Sequence, residues 1–268
     1  MFKILSMSVG IVGCGNLGMS LLYGIRKHDE NVQIVGSRRN VQELKKIILP
    51  NTTFTSSNEE LIKAASIIII ALKPYNVISF LEENRNYFNA NQHTIVSVAS
   101  GVTISEMKAA LNMDIDIFRG MPNTAASVNE SITALSFGSD RLNRKDRIQE
   151  LFNTLGETLI IDEKLMESAT ILGACGIAYV LRFMRAMIQG GIEVGFDSKT
   201  ATKIVSQTIK GAAELIIQNG THPEEEIDKV TTPKGCTIVG LNEMEHSGFS
   251  SALIKGIVTS YEKIERKD

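Results

Sequence analysis

The chain reads as an α/β protein in which a doubly wound parallel sheet is followed by an all-helical region. Three observations predict this. A short apolar strand, Val9 to Val12, runs straight into Gly13-Cys14-Gly15-Asn16-Leu17-Gly18 and an amphipathic helix led by Met19, Leu21 and Leu22. Apolar runs then alternate with helical patterns as far as residue 162, and beyond Asp162 no strand pattern recurs. The division predicted is a Rossmann-type dinucleotide-binding domain over 1–162 and a helical domain over 163–268.

The glycine turn is legible residue by residue. Gly13 gives the tight turn its backbone freedom, Gly15 leaves room for a pyrophosphate against the chain, and Gly18 lets the helix lie close to the strand. Amides of the helix start, at Asn16 and Leu17, then face the phosphates. The second strand, Gln33 to Val35, ends in Gly36-Ser37-Arg38-Arg39-Asn40. An Asp or Glu that would hold the ribose of NAD is missing there. A hydroxyl and two guanidinium groups suit a 2′-phosphate instead, which favours NADP(H) and leaves NAD(H) possible. The plain alternative is that Arg38 and Arg39 are solvated charges on a loop.

Further along, Ser57-x-x-Glu60 and Thr103-x-x-Glu106 have the form of capping boxes and mark two helix starts. Asn58, in the first turn behind Ser57, is counted with the cofactor residues. Ser66 to Leu72 is a β-branched run without alternation, as befits a strand covered on both faces. Strands follow at Thr94–Val98, Asp116–Arg119, Ile132–Phe137 and Thr158–Ile161. In such a sheet ligands sit beyond the C-terminal strand ends. Ala71-Leu72-Lys73-Pro74, then Ala99 and Gly101, then Asn123 occupy those ends and form a candidate cradle for nicotinamide and ribose. Each of these segments taken alone is an ordinary strand-to-helix turn. Lys73 reads equally as a surface charge or as a group near the ribose.

The first helix of the second domain, about Glu163 to Gln189, interleaves Ala169, Gly173, Ala174, Gly176 and Ala178 among large apolar residues, so another helix can approach closely. It is expected to cross a partner subunit. Thr221-x-x-Glu224 caps a later helix, and Pro233 interrupts before one that runs through Met244. The intervening Thr232-Pro233-Lys234-Gly235-Cys236-Thr237 resembles an anion trap. Amides of Gly235, Cys236 and Thr237 at a helix start would bind a carboxylate, with the Thr232 and Thr237 hydroxyls beside them. A simple N-cap loop is the alternative.

Composition excludes several classes. With 268 residues, 43% of them hydrophobic, and a formal charge of -2, the chain can build sizeable cores and gives no electrostatic reason to expect nucleic acid. Cys14, Cys175 and Cys236 are far apart and form no C-x-x-C, so no metal site is expected and a reducing cytoplasm fits. His28, His93, His222 and His246 lack metal-ligand spacing. Met1 to Leu5 is too short for a signal core. The apolar stretch from Ile171 to Ile188 carries Arg182 and Arg185, which lipid would tolerate only at high cost, so no membrane span is expected.

Taken in order, Gly13 to Gly18, Ala71 to Pro74, Ser97 to Gly101, Met121-Pro122-Asn123-Thr124, Gly173 to Tyr179, Gly211-Ala212-Ala213, His222-Pro223 and Thr232 to Thr237 resemble the pyrroline-5-carboxylate reductase family over nearly the whole chain. The resemblance implies hydride transfer from NAD(P)H to 1-pyrroline-5-carboxylate, giving L-proline in the last step of proline biosynthesis. It also implies a C-terminal domain that dimerises and binds substrate, with assembly up to decamers. A protonated cyclic imine is already an electrophile, so orientation and exclusion of water suffice. Thr237 would be the catalytic group, bonded to the ring nitrogen, in a site built from two subunits. Two departures stand out. Gly173-Ala174-Cys175-Gly176-Ile177-Ala178-Tyr179 replaces the family's Gly-Ser-Gly-Pro-Ala-Tyr, and Pro233-Lys234-Gly235-Cys236-Thr237 replaces Pro-Gly-Gly-Thr-Thr or Pro-Gly-Gly-Ala-Thr.

Two other readings compete. A β-hydroxyacid-dehydrogenase-like oxidoreductase shares the glycine loop and a helical second domain, but its catalytic Lys has no counterpart in the long helix. A non-catalytic NADP-binding sensor or assembly protein would bind cofactor and turn over no imine.

Overall fold

The computed structural model describes residues 7–265, with the side chain of Glu265 left out; Met1 to Leu5 and the charged end at 266–268 lie outside it. The chain divides into two compact units, one comprising residues up to Cys175 together with Tyr261 onward, the other Gly176–Ser260.

In the first unit the elements run β1 (Ser8–Val12), α1 (Asn16–His28), β2 (Gln33–Ser37), β3 (Thr52–Thr55), α2 (Asn58–Ala64), β4 (Ile67–Ile70), α3 (Val77–Glu83), β5 (Thr94–Ser97), α4 (Ile104–Leu111), β6 (Asp116–Met121), β7 (Ser131–Phe137), α5 (Lys145–Asn153) and β8 (Gly156–Ile160). They form one sheet in the order β3-β2-β1-β4-β5-β6-β7-β8. Its first six strands reproduce the doubly wound dinucleotide-binding order. Two apolar layers cover the sheet, one around Leu21, Leu22, Ile69 and Phe118, the other around Leu61, Ile68, Leu81 and Met107. Every residue of the Ile67–Ile70 run is buried, so the absence of alternation did signal a strand covered on both faces.

The expectation of a parallel sheet needs one correction, because β7 pairs antiparallel to β6. Only a short 3₁₀ turn, Thr124–Val128, lies between them, too little chain for the crossover that a parallel return requires. Strand β3 is an element that the sequence reading omits altogether.

The capping boxes differ in detail. Thr103 and Glu106 cap one another reciprocally. Ser57 accepts the Glu60 amide, but the Glu60 carboxylate turns to Thr55 Oγ1 at 2.6 Å, leaving half a box. His222 rather than Thr221 caps the later helix, its Nδ1 accepting the Glu224 N–H at 3.3 Å. Thr221 instead donates to Glu226 at 2.6 Å.

The predicted long helix is also not one regular α-helix. A 3₁₀ turn, Glu163–Leu165, leads into α6 (Met166–Ala169), a π-helical segment follows over Thr170–Cys175, and α7 (Gly176–Glu193) completes it. Two polar side chains compete for backbone carbonyls here, since Asn123 Nδ2 donates to Gly173 O at 3.1 Å and Thr170 Oγ1 donates to Met166 O at 2.8 Å. Such competition loosens the regular ladder. Within the chain, a side chain at Gly173 would meet Ile132 Cγ2 of β7 at 3.3 Å, so its small size serves a strand contact.

The second unit holds α7, then α8 (Ser198–Asn219), α9 (Pro223–Lys229), α10 (Cys236–His246) and α11 (Phe249–Glu265) as far as Ser260. Asp197 caps α8 and Gly220 ends it in the left-handed conformation. Tyr179 donates to Ser260 at 2.8 Å, and Phe183 packs on Phe249. Ala201 and Val205 are the only buried residues in this unit among those described. Large apolar side chains stand exposed instead, among them Leu181, Ile217, Val239 and Ile254.

Candidate functional site

A cleft of about 920 Å³ opens along the C-terminal ends of β1, β2, β4 and β5. Its floor is the glycine turn. Gly13 has φ of +94°, and a Cβ there would lie 2.7 Å from the carbonyl of Ala71; one on Gly18 would lie 2.3 Å from the carbonyl of Gly13. These contacts lock strand, turn and helix together. Among the described residues, apart from the adjoining backbone, no atom lies within 4 Å of where a Cβ on Gly15 would stand, so the turn leaves open the space that a pyrophosphate requires. The Ser37 carbonyl accepts the amides of Gly13 and Cys14 at 3.0 and 2.8 Å, tying the end of β2 to the turn. The first intrahelical bond of α1 runs from Met19 N–H to Gly15 O, so the amides of Asn16, Leu17 and Gly18 precede the ladder.

Around this floor the structure gathers most of the predicted cofactor residues. Gly13, Gly15, Asn16, Leu17, Ser37, Arg38, Arg39, Asn58, Ala71, Leu72, Lys73, Pro74 and Ala99 all line the cleft. Arg38 and Arg39 are exposed at its edge, while Ser37 is buried. Lys73 is exposed and also lines the cleft.

Three predicted residues do not line it. Gly18 acts through the close approach just described. Gly101 holds φ of +71° one residue beyond the lining residue Ser100. Asn123 has its side chain committed, Oδ1 accepting the Ala125 amide at 2.9 Å and Nδ2 donating to Gly173 O. It braces the loop after β6, and its neighbour Thr124 is the residue that reaches the cleft.

Sequence reasoning missed a second wall. Asn76, Ser79, Phe80 and Glu83 line the cleft from α3 and the turn before it, and Ser56 does so from the end of β3. Steps of three and four residues through 76, 79, 80 and 83 are one helical face, a signal present in the sequence.

In the second unit, Thr232-Pro233-Lys234-Gly235 is a four-residue turn closed by the Gly235 N–H on the Thr232 carbonyl at 2.9 Å. This corrects the expected trap, since the Gly235 amide is spent on the turn. Gly235 is needed for another reason: a Cβ there would fall 2.6 Å from Thr232 Oγ1. The amides of Cys236 and Thr237 remain, in the first turn of α10. Lys234 holds φ of +60°, a conformation that favours glycine at the third position of such a turn.

The other candidates for chemistry are structural. Burial pushes the Cys14 thiol up to about 12, with the Ser37 backbone bond only partly opposing it, so Cys14 is inert at neutral pH. His93 is buried, its Nδ1 accepts the Asn89 amide at 3.0 Å, and burial, then Arg144, holds its pKa below the ordinary value. Among the described residues no group of three or more His, Cys, Asp or Glu side chains could hold a metal.

Strand order, glycine turn and cleft define a dinucleotide-binding protein of the Rossmann class. A family model described as pyrroline-5-carboxylate reductase dimerisation matches residues 163–267, and one described as NADP oxidoreductase, coenzyme F420-dependent, matches residues 8–101. Pyrroline-5-carboxylate reductase 2 of Dictyostelium discoideum is 39% identical over 274 residues, spanning 96% of this chain and 91% of that protein. Pyrroline-5-carboxylate reductase 1 of the same organism is 40% identical over 97% of this chain, which spans half of that longer relative. The crystal structure of Plasmodium falciparum pyrroline carboxylate reductase with NADP bound superposes with a TM-score of 0.88 at 26% identity, covering 98% of this chain and 99% of that one. The chain belongs to the pyrroline-5-carboxylate reductase family.

Proposed function

We propose that the protein reduces 1-pyrroline-5-carboxylate to L-proline with NADPH, the closing step of proline biosynthesis. The observation that carries this reading is the open cradle at Gly15, edged by Ser37, Arg38 and Arg39, in a chain that also presents Thr237 in the helix start after Gly235. The space beside Gly15 and the first-turn amides of Asn16 and Leu17 fit a pyrophosphate, and the two guanidinium groups fit a 2′-phosphate. When bound, the dihydronicotinamide supplies a hydride to the imine carbon.

The chain's own residues bind and orient. Amides of Cys236 and Thr237 hold the substrate carboxylate, aided by the positive end of α10. The Thr237 hydroxyl accepts from or donates to the ring nitrogen and so fixes which face of the imine is presented. A protonated imine needs no further activation, and positioning supplies the rate. Lys73 and the Ala99–Ser100 segment wall the cofactor end.

We further infer that the second unit pairs with a second copy of the chain. A unit with two buried residues has no core of its own, and its exposed Leu181, Ile217, Val239 and Ile254 form the kind of surface that a partner covers. Within Glu163–Glu193, a stretch with the length of a bilayer span, one 18-residue window reaches a mean hydropathy of 1.6. Arg182 and Arg185 within it favour a protein partner over lipid. Assembly of dimers into a decamer, and a cytoplasmic location in keeping with three free cysteines, complete the proposal.

The test is direct: purified protein is mixed with pyrroline-5-carboxylate and either NADPH or NADH, and loss of nicotinamide absorbance is followed. Oxidation of NADPH, faster than NADH, is expected. Oxidation of neither removes the reading.

A further inference from the structure

Behind the cofactor cleft lies an ion cluster that no step above uses. Arg119, on β6 and 2% exposed, donates from Nη2 to Glu167 Oε1 at 2.7 Å and from Nη1 to Glu163 Oε1 at 3.3 Å. Both carboxylate oxygens take a second bond, one from the segment between β5 and α4 and the other from the first residue of α4. Glu167 Oε1 accepts the Gly101 N–H at 3.2 Å, and Glu163 Oε1 accepts the Ile104 N–H at 2.8 Å. Ala99 and Ser100, immediately before Gly101, line the cleft. Gly101 itself sits at φ +71°, so the loop turns sharply where the carboxylate grips it.

We propose that Arg119 and Glu167 are positioning residues for the reaction, setting the Ala99–Ser100 wall at the nicotinamide end of the cleft; this rests on the reductase reading above. The nicotinamide lies at this end because the 2′-phosphate ribose belongs at the end of β2, on the other side of β1. Neither residue lines the cleft. Glu167 Oε2 and Arg119 Nε are enclosed and find no hydrogen-bond partner among the described residues, and the bond to the Gly101 N–H is the pair's link to the cleft wall. A partly satisfied buried ion pair is costly to keep, and the grip on Gly101 is what its charge accomplishes here. Glu163 shares the same arginine but holds the start of α4, away from the cleft wall.

The experiment compares Glu167→Ala, Glu167→Asp, Glu167→Gln and Glu163→Ala in the full-length protein. NADPH affinity is read by fluorescence titration without substrate, beside kcat and KM. Glu167→Asp keeps the charge for Arg119 but is too short for Gly101, and it serves if Glu167→Ala does not fold. Glu167→Ala or Glu167→Asp should weaken NADPH about tenfold, the worth of one hydrogen bond to a charged group. Glu167→Gln, which keeps reach and an acceptor, should recover most of that, and Glu163→Ala should change it less than about twofold by comparison. Unchanged affinity in the Glu167 variants, or equal loss in all four, overturns the proposal. Because binding is read without turnover, a parent protein that binds NADPH but reduces no pyrroline-5-carboxylate would count against the substrate reading alone.

Discussion

At the scale of single residues, the account rests on charges and hydroxyls whose removal has separable consequences. Arg38 and Arg39 stand exposed at the end of β2, free to meet a phosphate. Replacing both by Ala should weaken NADPH while sparing NADH, with each lost charge-assisted contact costing about 1.5 to 3 kcal/mol. Equal loss for both cofactors in a titration would assign them to the fold instead. Thr237→Val keeps shape and removes the hydroxyl. It should lower kcat/KM for the imine by about 1 to 3 kcal/mol, roughly ten- to a hundredfold, with NADPH affinity unaltered. Thr237→Ser should retain most activity, and a Val variant as active as the parent would reduce Thr237 to a helix-start residue. Such polar residues were legible because turn chemistry and strand ends announce them. The Gly235 amide was not, since only the closed turn shows that its N–H is already taken.

At the scale of elements, legibility followed burial. The all-isoleucine β4 could be nothing but a doubly covered strand, and β1 with its turn was set by spacing alone. Strand β3 escaped notice because Thr-Thr-Phe-Thr, four residues at a sheet edge, carries a single large apolar side chain. The antiparallel β7 and the π-helical Thr170–Cys175 depend on contacts between distant residues, the latter on Asn123 reaching Gly173. No local periodicity encodes those. The turn before α10 offers a test at this scale. A β-branched residue tolerates left-handed backbone poorly, so Lys234→Val, at φ +60°, should lower stability by about 1 to 2 kcal/mol in urea unfolding. Lys234→Gly should be no less stable than the parent. A Val variant of undiminished stability would show that the turn adopts another conformation.

At the scale of the whole molecule, the first unit carries two apolar layers and the second almost none, an asymmetry that a single copy cannot sustain in water. It is the ground on which pairing with a second copy is proposed. Ile254→Glu, on an exposed apolar position of α11, should shift sedimentation toward the monomer and lower the unfolding temperature, since each large side chain buried at an interface contributes about 1.5 to 3 kcal/mol. An unchanged sedimentation coefficient would place Ile254 outside the interface. The central claim, that this surface and the cofactor cleft serve one reduction, is tested most directly by its product. Protein incubated with pyrroline-5-carboxylate and NADPH should form L-proline, resolved from its enantiomer by chiral chromatography, mole for mole with the NADPH consumed. NADPH oxidised without proline, or no oxidation at all, would contradict it.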